Sequence, residues 1–96
     1  MQDVSILEVL SKNNPIIIDI RDNYFYNIGH IKNAINIPYY NLLNNHSHYL
    51  NKNSTYYLYC SNGKQSSEVS NRLNMFGYNT YNIIGGYDNY AMGKYY

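Results

Sequence analysis

One cysteine, Cys60, opens the run Cys60-Ser61-Asn62-Gly63-Lys64-Gln65-Ser66, and it is the residue of this chain best suited to nucleophilic chemistry. The residues before it, Thr55-Tyr56-Tyr57-Leu58-Tyr59, have the aromatic and β-branched character of a strand. After it, Val69, Leu73 and Phe76 recur at helical spacing, and Gly77 suits the left-handed C-cap of a helix running from about Ser66 to Phe76. A thiol between the carboxyl end of a strand and the amino end of a helix meets unpaired amides and about half a positive charge. Lys64 adds a full charge nearby, and Gly63 permits a backbone in which successive amides turn toward one point. Such surroundings are expected to ionise the thiol below its free pKa of about 8.5 and make it nucleophilic. The competing reading is a cysteine buried as the last residue of a core strand, a common fate for this residue type. The Ser-Asn-Gly-Lys turn and the helix behind it favour the reactive thiol. No His, Asp or Glu adjoins Cys60, so the loop itself must do the activating.

Other polar residues have plainer explanations. Asp19 and Arg21, at the end of an apolar run, read as a structural ion pair that brackets neighbouring loops. His30 is expected to hydrogen-bond a loop or cap a helix rather than to catalyse. His46 and His48 lie in a polar stretch with no third ligand at a convincing spacing, so they read as a surface pair and no metal is expected. Arg72 belongs to a solvated helix face or pairs with Glu68 four positions earlier. The tyrosines at 24, 26, 39, 40, 87 and 90 line a pocket, cover core edges or meet a partner.

The elements that must position Cys60 alternate between strand and helix. Val4 to Leu10 reads as a short helix, with Ser5 and Glu8 at capping-box spacing. The β-branched run Ile16 to Ile20 follows the turn signal Asn13-Asn14-Pro15 and reads as a central parallel strand covered on both faces. Gly29 to Pro38 suggests a turn and a short strand ending at Pro38, and Tyr39 to Asn53 a broken helix or two short helices. Tyr81 to Ile84 reads as a last strand, Gly85-Gly86 as a turn, and Tyr87 to Met92 as a closing helix. The fold class is therefore α/β, with a mainly parallel central sheet flanked by helices, and residues 1–96 are read as one domain.

Composition narrows the partners. Seven basic and six acidic residues give a net charge of +1, too balanced for a nucleic-acid or anionic-membrane binder. Fourteen of the apolar-class residues are tyrosines, whose hydroxyls need partners, so the chain is less greasy than its 45% hydrophobic content implies. No apolar run approaches the roughly eighteen residues of a membrane span, and the start, Met1-Gln2-Asp3-Val4, lacks the character of a signal peptide. A cytoplasmic location is expected. A lone cysteine can form no intrachain disulfide.

Three segments, in order, resemble the rhodanese family. Ile17-Ile18-Asp19-Ile20-Arg21 resembles that family's first core strand ending in Asp-Val-Arg. Gly29-His30-Ile31-Lys32-Asn33-Ala34-Ile35-Asn36-Ile37-Pro38 resembles its Gly-His-Ile-x-Gly-Ala-x-Asn-x-Pro segment, and Cys60 to Gln65 its six-residue catalytic loop. Gly85-Gly86 resembles the Gly-Gly pair near the domain's end. The resemblance implies a thiosulfate sulfurtransferase. Catalytic Cys60 would take the outer sulfur of thiosulfate or a similar donor as a persulfide and pass it to cyanide, a small thiol or a protein cysteine. Ser61, Asn62, Gly63, Lys64, Gln65 and Ser66 would bind the substrate, with no cofactor, nucleic acid or membrane involved. Three positions depart from the pattern. Gln65 stands where many relatives carry Arg, which weakens the anion site; Asn33 replaces Gly, and Tyr90 a frequent Trp. Three alternatives remain: a persulfide carrier or partner-binding module with little turnover, a cysteine phosphatase or arsenate reductase, and a redox-sensing thiol, which with no second cysteine would have to pair with outside thiols. The second is disfavoured because the loop is shorter than a phosphatase's and lacks its closing Arg.

Overall fold

The alternation of buried β-branched runs with helical segments produces a three-layer α/β structure in the computed structural model, which describes residues 2–96. In chain order the elements are β1 (Asp3–Val4), α1 (Ile6–Leu10), β2 (Ile16–Asp19), α2 (Asn23–Ile28), β3 (Ile35–Asn36), α3 (Tyr39–Asn44), α4 (His46–Tyr49), β4 (Thr55–Tyr59), α5 (Lys64–Met75), β5 (Asn79–Ile83) and α6 (Gly86–Ala91). The five strands form one sheet in the order β1-β5-β4-β2-β3, with every neighbouring pair parallel. β4 lies in the middle, pairing Ile18 with Leu58 on one side and Leu58 with Asn82 on the other.

Successive strand residues face opposite layers, so each central strand feeds two cores. Ile18, Tyr56, Leu58 and Cys60 face Leu42 of α3 and Val69 and Leu73 of α5. Ile17, Tyr57, Tyr59 and Ile83 face Ile6 and Val9 of α1. Two-sided burial explains the apolar runs Ile16-Ile17-Ile18 of β2 and Tyr56-Tyr57-Leu58-Tyr59 of β4.

The expected strands around Ile16–Ile20 and Thr55–Tyr59 are present, and the stretch after Tyr39 forms two short helices. At α1, Ser5 caps the helix, its Oγ accepting the Glu8 N–H at 3.1 Å. Four differences have identifiable causes. Val4 belongs to β1 rather than to α1, a strand defined only by its pairing with Asn82 and Ile83. α2 was not foreseen, because Asn-Tyr-Phe-Tyr-Asn-Ile buries no residue and so carries no amphipathic period. α5 begins at Lys64, two residues before the expected start, because Gly63 takes the N-cap position. β5 begins at Asn79, since polar Thr80 is fully buried, with its hydroxyl bonded to Asn74 and to the Ser70 carbonyl.

A buried charge network ties the carboxyl ends of β2 and β4 together. Asp19 has no solvent exposure. Its carboxylate accepts from Arg21 Nε at 3.1 Å and Nη2 at 2.7 Å, from the Arg21 backbone N–H at 2.9 Å and from the Tyr59 hydroxyl at 2.6 Å. That hydroxyl in turn accepts the Ile31 N–H at 3.0 Å. Burial raises the Tyr59 phenol far above its ordinary pKa, and its bond to Asp19 raises it further, so it stays a neutral donor. Burial opposes the Arg21 charge, but hydrogen bonds and charge from Asp19 outweigh it and raise that pKa too. Arg21 Nη2 also donates to the Gly29 carbonyl at 2.6 Å, and its guanidinium lies 4.2 Å from the Tyr87 ring centre. The pair expected to bracket loops does so. His30 caps α2 as expected, with Nδ1 2.8 Å from the Tyr26 carbonyl and its ring stacked on Tyr26.

Among the described residues no helix is long and apolar enough to cross a membrane, and no group of three His, Cys, Asp or Glu side chains could hold a metal. His46 is more than a surface residue: it bonds the Tyr78 hydroxyl at 2.9 Å and stacks on Phe76. Glu68 accepts from the Tyr39 hydroxyl rather than pairing with Arg72, which is exposed.

The network predicts a specific stability loss. Tyr59→Phe strands the buried Ile31 N–H and removes one donor from Asp19, so unfolding free energy should fall by about 1–3 kcal/mol. Urea denaturation at neutral pH measures it; a loss within about 0.5 kcal/mol, as for an ordinary surface change, would mean the network does not hold the loops.

Candidate active site

β4 delivers Cys60 to the carboxyl edge of the sheet, and α5 begins four residues later. The first amides of a helix have no partner inside it, and they usually find a side-chain cap. Gly63, the N-cap of α5, has no side chain to offer. The cap is the sulfur of Cys60. It accepts the Gly63 N–H at 3.2 Å and the Ser66 N–H, in the first turn of α5, at 3.3 Å. Asn62 Oδ1 takes the Lys64 N–H at 3.0 Å. Gly63 adopts a left-handed conformation, φ 94°, which folds the loop back over the sulfur and which a glycine accepts without strain. Two N–H dipoles and a helix amino end aimed at one sulfur stabilise negative charge there. The amides of Ser61, Asn62 and Gln65 find no acceptor among the described residues, leaving donors at the mouth of the loop.

The loop is braced from behind by the turn between β5 and α6. The amides of Tyr87 and Asp88 donate to the carbonyls of Cys60 and Ser61, each at 2.9 Å. That approach needs a glycine at 86, where φ is +56° and a Cβ would collide with the Cys60 carbonyl oxygen. The Gly-Gly pair noted in the sequence therefore serves the cysteine loop directly.

Cys60, 4% exposed, opens onto a cavity of about 430 Å³. Ser61, Asn62 and Gln65 form one wall; Ile20, Arg21 and Asp22 another; Phe25 of α2 with Pro38, Tyr39, Tyr40 and Asn41 complete it. Of the six loop residues expected to bind substrate, Ser61, Asn62 and Gln65 border the cavity, while Gly63 and Ser66 reach the sulfur through their amides. Lys64 does not border it. It lines a separate depression with Asp3, Ser67 and Ile84, so the charge expected beside the thiol lies on the other side of the loop. The cation bordering the cavity is Arg21, already paired with Asp19.

Sequence reasoning named Tyr39 and Tyr40 but missed Phe25, Asp22 and Asn41, which chain return alone brings to the rim. It also missed Asn82, whose Oδ1 accepts the Ser66 hydroxyl at 2.6 Å behind the sulfur. A polar residue inside an otherwise apolar strand was the available signal.

Comparison with known proteins agrees with this fold. The family model described as Rhodanese-like domain matches residues 4–92. A tRNA uridine(34) hydroxylase of Buchnera aphidicola is 30% identical over 91 residues, covering 86% of this chain and 28% of its own. An adenylyltransferase and sulfurtransferase uba4 of Ogataea parapolymorpha is 31% identical over 84 residues, covering 86% of this chain and 22% of its own. The chain thus spans less than a third of the length of these curated relatives. Among solved structures, a Staphylococcus saprophyticus protein superposes with a TM-score of 0.85 at 32% identity, covering 94% of this chain and 93% of that one. A rhodanese-like domain protein from Staphylococcus aureus gives 0.78 at 28% identity, covering 90% and 87%.

The brace yields a prediction. Gly86→Ala places a side chain in a left-handed conformation and against the Cys60 carbonyl, so it should destabilise by at least about 1–2 kcal/mol. It should also slow alkylation of Cys60 at neutral pH, because the loop must shift. Urea denaturation with an iodoacetamide rate checks both, and unchanged values in both would exclude the brace.

Proposed function

The chain belongs to the rhodanese-like domain family, and on that footing we propose that it is a sulfurtransferase that moves sulfane sulfur through a persulfide on Cys60. The observation that carries this reading is a cavity-facing sulfur that accepts two loop amides, Gly63 and Ser66, in place of a helix cap. As a thiolate, Cys60 attacks the outer sulfur of a donor such as thiosulfate. The donor's S–S bond breaks, its electron pair leaves with sulfite, and Cys60 carries the sulfur as a persulfide. A thiolate or cyanide then attacks the outer sulfur, and the bonding pair returns to Cys60. The unpartnered amides of Ser61, Asn62 and Gln65 supply preorganised donors for charge on the donor and on the persulfide. Ser66 supports the site through its amide and hydroxyl rather than by meeting substrate, and Lys64 through charge at longer range.

A second reading, a persulfide carrier loaded by a protein partner, is favoured by the charge distribution. Arg21, the cation at the cavity, is spent on Asp19, Lys64 faces the opposite side, and Gln65 has no charge. An anionic donor therefore meets amides without a free cation. Slow turnover with thiosulfate follows, and a thiol or protein cysteine suits this cavity better as acceptor.

After thiosulfate treatment the wild type should gain one sulfur that cyanide removes as thiocyanate, and Cys60→Ser should gain none, as read by intact mass. Gln65→Arg should raise kcat/KM for thiosulfate by about tenfold or more by restoring a charged fork at the mouth. If the wild type gains no sulfur, thiosulfate is not a donor; if it then gains sulfur from a protein persulfide, the carrier reading holds.

A further inference from the structure

Besides the two amides, the Cys60 sulfur has a third polar neighbour, and the direction of that neighbour's proton is set from outside the loop. Ser66 Oγ lies 3.3 Å from the sulfur and is fully buried. Its hydroxyl donates to Asn82 Oδ1 at 2.6 Å. The Asn82 amide is itself oriented, because Nδ2 donates to Asp3 Oδ1 at 3.2 Å. A carboxylate only accepts, so the amide nitrogen faces Asp3 and the amide oxygen faces Ser66. A hydroxyl has one proton to give, and with it committed to Asn82, Ser66 presents a lone pair to the sulfur. The donors run in one sense, from the thiol to Ser66, then Asn82, then Asp3, and each bond polarises the next.

We propose that Asn82 and Asp3 are positioning residues that make the Ser66 hydroxyl an acceptor, so that it holds the proton on Cys60 against the two amides that favour its loss. Asn82 is 5% exposed and sits on β5 between Tyr81 and Ile83, where an apolar residue would fill the same space without this effect. Lys64 borders the same depression as Asp3 and Asn82 but forms no ion pair with Asp3, and the other charged groups at this end of the molecule do not join the chain. Arg21 is paired with Asp19 at the cavity, Glu68 takes the Tyr39 hydroxyl, and Asp88 is exposed on α6. The proposal rests on Cys60 being the reacting thiol of the sulfur-transfer reading, but it concerns only how readily that thiol becomes an anion.

Alkylation by iodoacetamide reports this without any sulfur donor. The quantity to measure is the alkylation rate near pH 7 divided by the plateau rate near pH 10, for the full chain. Asn82→Leu frees the Ser66 hydroxyl to donate to the sulfur anion, so the ratio should rise about three- to tenfold. Ser66→Ala removes the opposing lone pair and should raise it by up to about threefold. Adding Asn82→Leu to Ser66→Ala should bring no further rise. An unchanged or lower ratio in either single variant, or the same gain from Asn82→Leu without the Ser66 hydroxyl, overturns the proposal. Ser66→Ala decides by its sign if Asn82→Leu fails to fold, and a purely structural Asn82 would move the melting temperature but not the ratio. Failure of the wild type to take up sulfur would leave these ratios standing, so the two readings fall separately.

Discussion

The carboxylate of Asp19 is the fixed point of this structure. A charge with no solvent exposure costs several kcal/mol to desolvate and persists only where donors surround it. Here they come from three directions: the Arg21 side chain and backbone beyond β2, and the Tyr59 hydroxyl from the end of β4. Because Tyr59 also accepts from Ile31 and Arg21 also reaches Gly29, the turn after α2 is held to the ends of both central strands. Asn36 closes the arrangement, donating from Nδ2 to the Asp19 and Arg21 carbonyls at 2.9 and 3.0 Å. These contacts fix the residue directly before Cys60, and so they define where the sulfur can lie.

A second constraint acts from the other side. Residue 60 must end a strand, supply a helix cap and face a cavity, and one side chain does all three. A serine would cap equally well, but its hydroxyl is a poor nucleophile without a base, and no His, Asp or Glu bonds to Cys60 among the described residues. The requirement of α5 for a cap is met by the same two amides that, in the proposed sulfur transfer, would stabilise the sulfur anion. Folding and the proposed reactivity would therefore improve together here, in contrast to sites where a functional group is held under strain.

Much of this was legible in the sequence because local and tertiary demands agree. Apart from Asp19, the residues of Thr55 to Tyr59 and Ile16 to Ile20 are aromatic, β-branched or Leu, and both segments are buried on two faces. Ser5 and Glu8 stand at capping-box spacing, and Ser5 caps its helix. The loop from Cys60 to Ser66 was readable because Gly63 and the helix behind it leave few conformations open. What could not be read depends on partners distant in sequence. β1 exists only through its register with β5, and α2 shows no periodicity because none of its residues is fully buried. Lys64 illustrates a different limit. Adjacency in sequence suggested a charge beside the thiol, but a helix turns about 100° per residue, and its first turn carries Lys64 and Gln65 to different sides.

Asn82 shows why one buried polar residue in a strand matters more than several on the surface. An apolar side chain there would complete the core without leaving a buried group to satisfy. The asparagine instead needs an acceptor for its nitrogen and a donor for its oxygen, and both needs are met, by Asp3 and Ser66. With both met, the amide has one orientation, and an amide with one orientation fixes the hydroxyl next to it. The two amides and the hydroxyl oxygen, all within 3.3 Å of the sulfur, then act in opposition, the first favouring the anion and the second its proton. On the proposal made above, the balance at Cys60 is set partly from an edge strand of two residues that does not border the cavity.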